Sequence, residues 1–199
     1  MVQAAPTDPC DTMSTQEIKD HMIAIAEQHI AARESYRSIR TDASKNLQVW
    51  QSNEQGVPLT VCTMDGIGIT IGEMRNWYTP DALPANIHIV DKNVTAKLLE
   101  NDLGVEGSYT MYQHIKTPIV VSNRCVFCSV FNFDLPNGGF ASMTTSKGMK
   151  AIEEANTALR GKDVLSQTIV SYHKFEPMED GSGVRISAIM CVELNGSMP

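Results

Sequence analysis

Residues 110–133 read T-M-Y-Q-H-I-K-T-P-I-V-V-S-N-R-C-V-F-C-S-V-F-N-F, and residues 183–199 read G-V-R-I-S-A-I-M-C-V-E-L-N-G-S-M-P. Apolar and polar residues alternate through most of both stretches, with turn chemistry between the runs. That period of two is the signature of an antiparallel sheet with one buried face. Neither stretch carries a catalytic constellation, so the question becomes what the sheet encloses.

Working outward, Leu135-Pro136-Asn137-Gly138-Gly139 is a hairpin loop returning into a strand over 139–146. Met149, Ile152, Ala155 and Leu159 fit a helix over 147–160, or a partly ordered excursion between strands. Strands over 168–175 and 184–194 form a last hairpin through Pro177 and Asp180-Gly181. Upstream, strands are expected over 87–90, 94–99, 109–115 and 120–133. Ser14-Thr15-Gln16-Glu17 is a capping box, and Ile18, Met22, Ile25/Ala26 and Ile30 continue a helix to about residue 40. Arg33, Arg37 and Arg40 then crowd its C-terminal end, as a dipole-matched solvated end or a phosphate patch. Strands follow over 47–51, 59–63 and 67–71, with a turn at 53–56 and a break at Asp65-Gly66. A short helix over 73–78 stops at Thr79-Pro80, and an irregular piece begins at Leu83-Pro84. Residues 1–13, with Pro6 and Pro9, read as a disordered tail, leaving residues 14–199 as one domain.

At 199 residues the chain is long enough to bury a core without staples. A formal charge of −7 argues against nucleic acid, which demands Lys/Arg stripes. No apolar run approaches the roughly 18–20 residues that span a bilayer. The first residues resemble neither a secretory signal nor a transit peptide, so a cytoplasmic protein is expected. Five cysteines, scattered through apolar runs, suit reduced buried thiols.

The chemical motifs reduce to structure. In Cys125-Val126-Phe127-Cys128, residues three apart on a strand point to opposite faces, so the pair cannot hold one metal or close a relaxed disulfide. His21 and His29 lie two helical turns apart; His88, His114 and His173 fall in separate strands, and only a spatial cluster would make them ligands. Residues 66–72 miss the dinucleotide fingerprint, and no G-x-S-x-G elbow is present. Glu73, Asp81, Asp91, Asp134, Glu176 and Glu193 sit beside turns or strand ends, where solvation explains them. Met64, Met74, Met111, Met143, Met149 and Met190 either fill a core or line an adaptable apolar cavity.

With the strands laid out, Thr117-Pro118, Val121-Ser122-Asn123-Arg124-Cys125-Val126-Phe127, the hairpin from Glu176 to Val192, and Glu193-Leu194-Asn195-Gly196-Ser197-Met198-Pro199 resemble motifs of the steroidogenic-acute-regulatory-related lipid transfer (START) family. The corresponding family patterns are P-x-S-N-R-D-[FY]-V and D-x-x-G-x-[IL]-P, and the order of helices and strands agrees. The resemblance covers about residues 14–199. It implies an α+β helix-grip fold, a curved antiparallel sheet with an N-terminal helix, wrapped on a C-terminal helix around a lipid tunnel. This chain has Arg124-Cys125 where the family has Arg-Asp, so a charge pair using that Asp is lost. Family members continue into the gripped helix beyond the position of Pro199, so that helix is expected to be missing by truncation.

If Arg124 faces the tunnel, the strand period places Val126, Cys128, Val130 and Asn132 with it. The cation that some relatives present to a lipid head group falls near Val130. Polar recognition then passes to Arg124, Asn132 or a residue elsewhere such as Glu176. On the last strand either Ile186, Ala188, Met190 and Val192 line the tunnel, or Ser187, Ile189 and Cys191 do; the first set is the more apolar and is preferred. The resemblance implies a monomeric carrier that binds one sterol, phospholipid or related lipid and transfers it by transient membrane contact. Such a carrier needs no cofactor, metal or catalytic residue. The alternatives are a helix-grip enzyme using His114 or His173 with a carboxylate, and an interaction module whose interior is packed solid.

Overall fold

The alternating runs become one sheet. A computed structural model describes residues 8–54, 56–100, 102–118 and 121–195. Among these the strands are β1 (Arg37–Asp42), β2 (Leu47–Glu54), β3 (Val57–Ile67), β4 (Val94–Glu100), β5 (Ser108–Ile115), β6 (Arg124–Asp134), β7 (Phe140–Thr145), β8 (Val164–Leu165), β9 (Gln167–Pro177) and β10 (Gly183–Glu193). Their order is β1-β2-β3-β10-β9-β7-β6-β5-β4, antiparallel throughout, with the two-residue β8 added in parallel to β6. The last strand therefore joins the N-terminal meander to the rest of the sheet.

Helix α1 (Thr15–Ala32) starts at the expected capping box: the Glu17 amide donates to Ser14 Oγ, and the Ser14 amide donates to Glu17 Oε2 at 2.7 Å. Hydrogen bonds from the Ser14 hydroxyl and then the Ser14 amide hold the exposed Glu17 carboxyl below its usual range. Ile18, Met22, Ala26 and Ile30, four apart, form one buried stripe on the outer face of the sheet. They meet Leu59 and Val61 of β3, Phe131 of β6, Met143 of β7, Tyr172 of β9, and Ile189 and Cys191 of β10. Burying each large apolar side chain contributes about 1.5–3 kcal/mol. Further along the same face α4 (Lys150–Ala155) and α5 (Thr157–Arg160) bring Met149, Ile152 and Leu159 onto Tyr112, Cys125 and Phe127. On the inner face α2 (Ile71–Trp77) and α3 (Ala82–Val90) set Trp77, Tyr78 and Leu83 over Tyr109, Met111, Val126, Cys128 and Val130.

Several boundaries differ from the sequence reading. The first helix ends at Ala32, and β1 takes Arg37–Asp42, where the apolar stripe has lapsed. Arg33, Arg37 and Arg40 thus do not cap a helix together: Arg33 lies over the Trp50 ring at 5.7 Å, while Arg37 Nη2 donates to Gln51 Oε1 at 3.3 Å. Asp65-Gly66 does not break β3, because Gly66 lies under the side chains of Ile69, Val184 and Ile186. Residues 87–90 are the last turn of α3, not a strand; packing of Leu83 on the sheet overrides the β-branched composition. The helix over 147–160 is two helices meeting at Asn156. Pro9–Thr12 forms a 3-10 turn with Cys10 buried under α1, while residues 1–7 of the expected tail lie outside the described residues. Residues 196–199 of the C-terminal motif and residue 120 of the expected long strand also lie outside them.

Candidate functional site

The inner face is assembled by strand parity. Val126, Cys128 and Val130 on β6 pack with Tyr109 and Met111 of β5 under Leu83. Phe140, Phe175 and Val184 form a second inner group with Met74, Tyr78 and Ile186. Cys125 belongs to the outer group and Cys128 to the inner one, so the CxxC straddles the sheet. Burial pushes the Cys125 and Cys128 thiols up to about 11 and about 12. No cluster of His, Cys, Asp or Glu able to hold a metal occurs among the described residues.

The roof over this face is partial. Helices α2 and α3 close the β5–β6–β7 half, whereas on β10 Ile186 and Ala188 are half-buried and Met190 is 55% exposed. Their cross-strand partners Met64, Cys62 and Thr60 on β3 are half-buried too. Val192 lies beyond a register shift, opposite Thr168, and borders a surface cleft with Val57 and Pro58. The set Ser187, Ile189 and Cys191 is buried, with Ile189 and Cys191 in the outer core under α1. The methionines divide likewise: Met143 lies in the outer core, Met149 under α4, and Met111 under α3.

Arg124 is 2% exposed and lies at the far end of β6. Its Nε donates to the Leu194 carbonyl at 3.3 Å, Nη2 to the Asn195 carbonyl at 3.1 Å, and Nη1 to the Ser122 carbonyl. The guanidinium therefore ties the end of β10 to β6. Glu176 lies at the β9–β10 hairpin, accepting from Asn137 Nδ2 at 2.9 Å.

At the edge of the roof, the Tyr78 carbonyl accepts from Asn132 Nδ2 at 2.6 Å and from Tyr109 Oη at 3.0 Å. The Tyr78 ring sits 5.8–6.0 Å from the rings of Phe140, His173 and Phe175, and burial raises its phenol above the ordinary range. Asn132 Oδ1 and Ser142 Oγ are buried without a hydrogen-bond partner. Such an orphan typically costs about 1–3 kcal/mol. Burial lowers the His173 imidazole to about 4, so the ring is neutral at physiological pH. Asn132 also borders a cleft of about 570 Å³, reached between Thr79-Pro80, Glu106-Gly107 and Phe140. At its mouth Arg75 pairs with Asp134 at 2.6 Å, and Lys19 lies 5.1 Å above the Phe133 ring.

Of the residues expected at the site, Val126, Cys128, Val130, Asn132, Ile186, Ala188 and Met190 share the inner face. Arg124 and Val192 lie towards its end. Sequence reasoning passed over Tyr78, Phe140, Ser142 and Phe175, and considered His173 only as a metal ligand or a catalyst. Ser142 was the visible clue, a hydroxyl among buried neighbours in a short strand. His114 pairs with Asp163 at 3.2 Å, and its neighbours Tyr112 and Cys125 belong to the outer group.

An antiparallel sheet carrying α1 on one face and short helices on the other is the α+β helix-grip architecture, and solved structures share it. Human StAR-related lipid transfer protein 5 matches with a TM-score of 0.69 at 14% identity, over 92% of this chain and 86% of its own. Human STARD10 matches with a TM-score of 0.67 at 13% identity, over 94% of this chain and 71% of its own. A STAR-related lipid transfer protein from Xanthomonas axonopodis matches with a TM-score of 0.62 at 14% identity, over 82% of this chain and 85% of its own. At such identities the likeness is one of fold. No family model matches the sequence, and no curated protein matches it.

Proposed function

We propose that this chain binds one lipid, a sterol, phospholipid or related molecule, against the inner face and carries it between membranes without covalent chemistry. The observation that carries this reading is the half-roofed inner face. Val126, Cys128 and Val130 are sealed under Leu83, while the same apolar surface continues through the half-buried Ile186 and Ala188 to the exposed Met190. Exposed apolar area of that kind marks a binding surface. The fold shared with lipid transfer domains supports the same reading.

In this scheme residues 14–199 form the binding unit. Val126, Cys128, Val130, Asn132, Ile186, Ala188, Met190 and Val192 line it, and Arg124 fixes its end. The open half takes the lipid and the apolar side of a covering helix. Affinity comes from desolvation, about 0.8 kcal/mol per buried methylene. In this reading the carrier is a monomer that works in the cytoplasm through transient membrane contact. Native mass spectrometry of the purified chain, with lipid extraction, tests the reading. A stoichiometric lipid that is retained and exchanged with liposomes supports it. A folded chain that stays empty after incubation with liposomes of mixed composition overturns it.

A further inference from the structure

Asn132, Ser142 and His173 occupy directly opposed register positions on β6, β7 and β9. Directly opposed residues present their side chains to the same face, so the three form a polar row across the inner face. Continued one way, the row reaches the half-buried Ala188 and Cys62, next to the exposed Met190. Continued the other way, it meets the cleft beside Gly107. Resting on the lipid-binding reading above, we propose that this row is the polar subsite of the inner face. It takes the hydroxyl of a neutral lipid, in preference to a phosphate head group.

The argument turns on which atoms are free. A carbonyl can only accept, so the Tyr78 carbonyl fixes the Asn132 amide with its nitrogen towards Tyr78. The atom left over is therefore the acceptor Oδ1, and it is buried and unpartnered. Ser142 Oγ, on a residue only 1% exposed, is unpartnered beside it and can both donate and accept. A ligand hydroxyl complements that pair: its hydrogen satisfies Oδ1 while its oxygen accepts from Ser142. The neutral His173 ring offers a further acceptor or donor.

A phosphodiester offers no hydrogen to Oδ1, and any phosphate needs cations that the row lacks. The Arg124 guanidinium is engaged by the carbonyls of Ser122, Leu194 and Asn195. Lys174 turns to Glu27 on α1, at 3.4 Å on the outer side. Arg75 is held by Asp134 at the mouth.

The experiment uses two probe pairs that differ only at the head: a fluorescent sterol against its O-methyl ether, and a fluorescent diacylglycerol against the phosphatidic acid with the same chains. Equilibrium binding is measured for the wild type, Asn132→Leu and Ser142→Ala. The wild type should prefer the hydroxyl partner of whichever pair it binds by about five- to tenfold, the worth of the one hydrogen bond to Oδ1 that only the hydroxyl can donate. Asn132→Leu, which removes that acceptor, should lose most of the preference. Ser142→Ala should keep the preference and weaken the hydroxyl probe and its ether alike, because both oxygens accept from Ser142. Its Tm without ligand should hold or rise, because it removes an orphaned hydroxyl. Lipid binding with no head preference, with preference for the phosphate, with a preference unchanged in Asn132→Leu, or with affinities unchanged in Ser142→Ala overturns this subsite and leaves the lipid-binding reading standing. Binding of no probe at all overturns both.

Discussion

His173 gives the inner face a measurable pH signature. Burial lowers its imidazole to about 4 from an ordinary 6.5, so the folded protein resists taking a proton that the unfolded chain accepts. The unfolded state then binds more protons between those values, and stability rises with pH across that window. The contribution is fully present above the unfolded value near 6.5 and is lost as pH falls towards 4. The full difference is worth about 3 kcal/mol, of which about 2 kcal/mol is gone by about pH 5. The perturbation is His173→Gln, which keeps polarity and removes the titration. Urea unfolding of both proteins at about pH 7.5 and about pH 5 isolates the effect, since carboxylates common to both cancel in the difference. The variant should lose about 2 kcal/mol less than the wild type on acidification. Equal losses would refute the claim that the imidazole is buried and neutral, as would an NMR titration placing His173 near its ordinary value.

Other outcomes follow from single features. Arg124→Met leaves the carbonyls of Ser122, Leu194 and Asn195 without their donor and should cost about 3 kcal/mol in denaturant unfolding. It should also speed amide exchange at the end of β10. Gly107→Ala combines a φ of +72° with a Cβ driven into the Asn132 carbonyl. It should cost more than about 2 kcal/mol, whereas Gly138→Ala, at φ +79° with open space around it, should cost about 1 kcal/mol; thermal melts separate the two. Cys125 and Cys128 are buried, with thiols raised to about 11 and about 12, so a disulfide reagent should label them only at the rate of unfolding. Fast labelling of either in the native protein would contradict the packing described for both faces.

What the sequence displayed was local. Alternation in residues 110–133 and 183–193 shows strands, Ser14 and Glu17 show a helix start, and the three-residue spacing of Cys125 and Cys128 shows that the pair must straddle a sheet. What it concealed depends on partners distant along the chain. Ile87, Ile89 and Val90 are good strand formers, yet they lie in a helix whose Leu83 packs with Tyr109 and Met111, contacts remote in sequence. Arg37 and Arg40 extend an apparent helix until pairing of β1 with β2 claims them. Arg124 meets carbonyls 70 and 71 residues away. The Asn132–Ser142–His173 row exists only through the register of three strands, which none of those strands encodes alone.

The position of β10 bears on how the molecule is made. It is synthesised last among the strands and lies between β3 and β9, so the two parts of the sheet have no shared ladder until it is in place. On the ribosome β1–β3 can form a meander whose β3 edge stays open, while β4–β9 assemble with a second open edge. Both edges are templates for wrong pairing during the interval. Their closure needs a contact spanning from residue 59 to residue 191, which places the chain among slow-folding topologies. Nascent chains stalled before residue 183 should therefore engage chaperones that bind open strands, and release them once the final strand emerges.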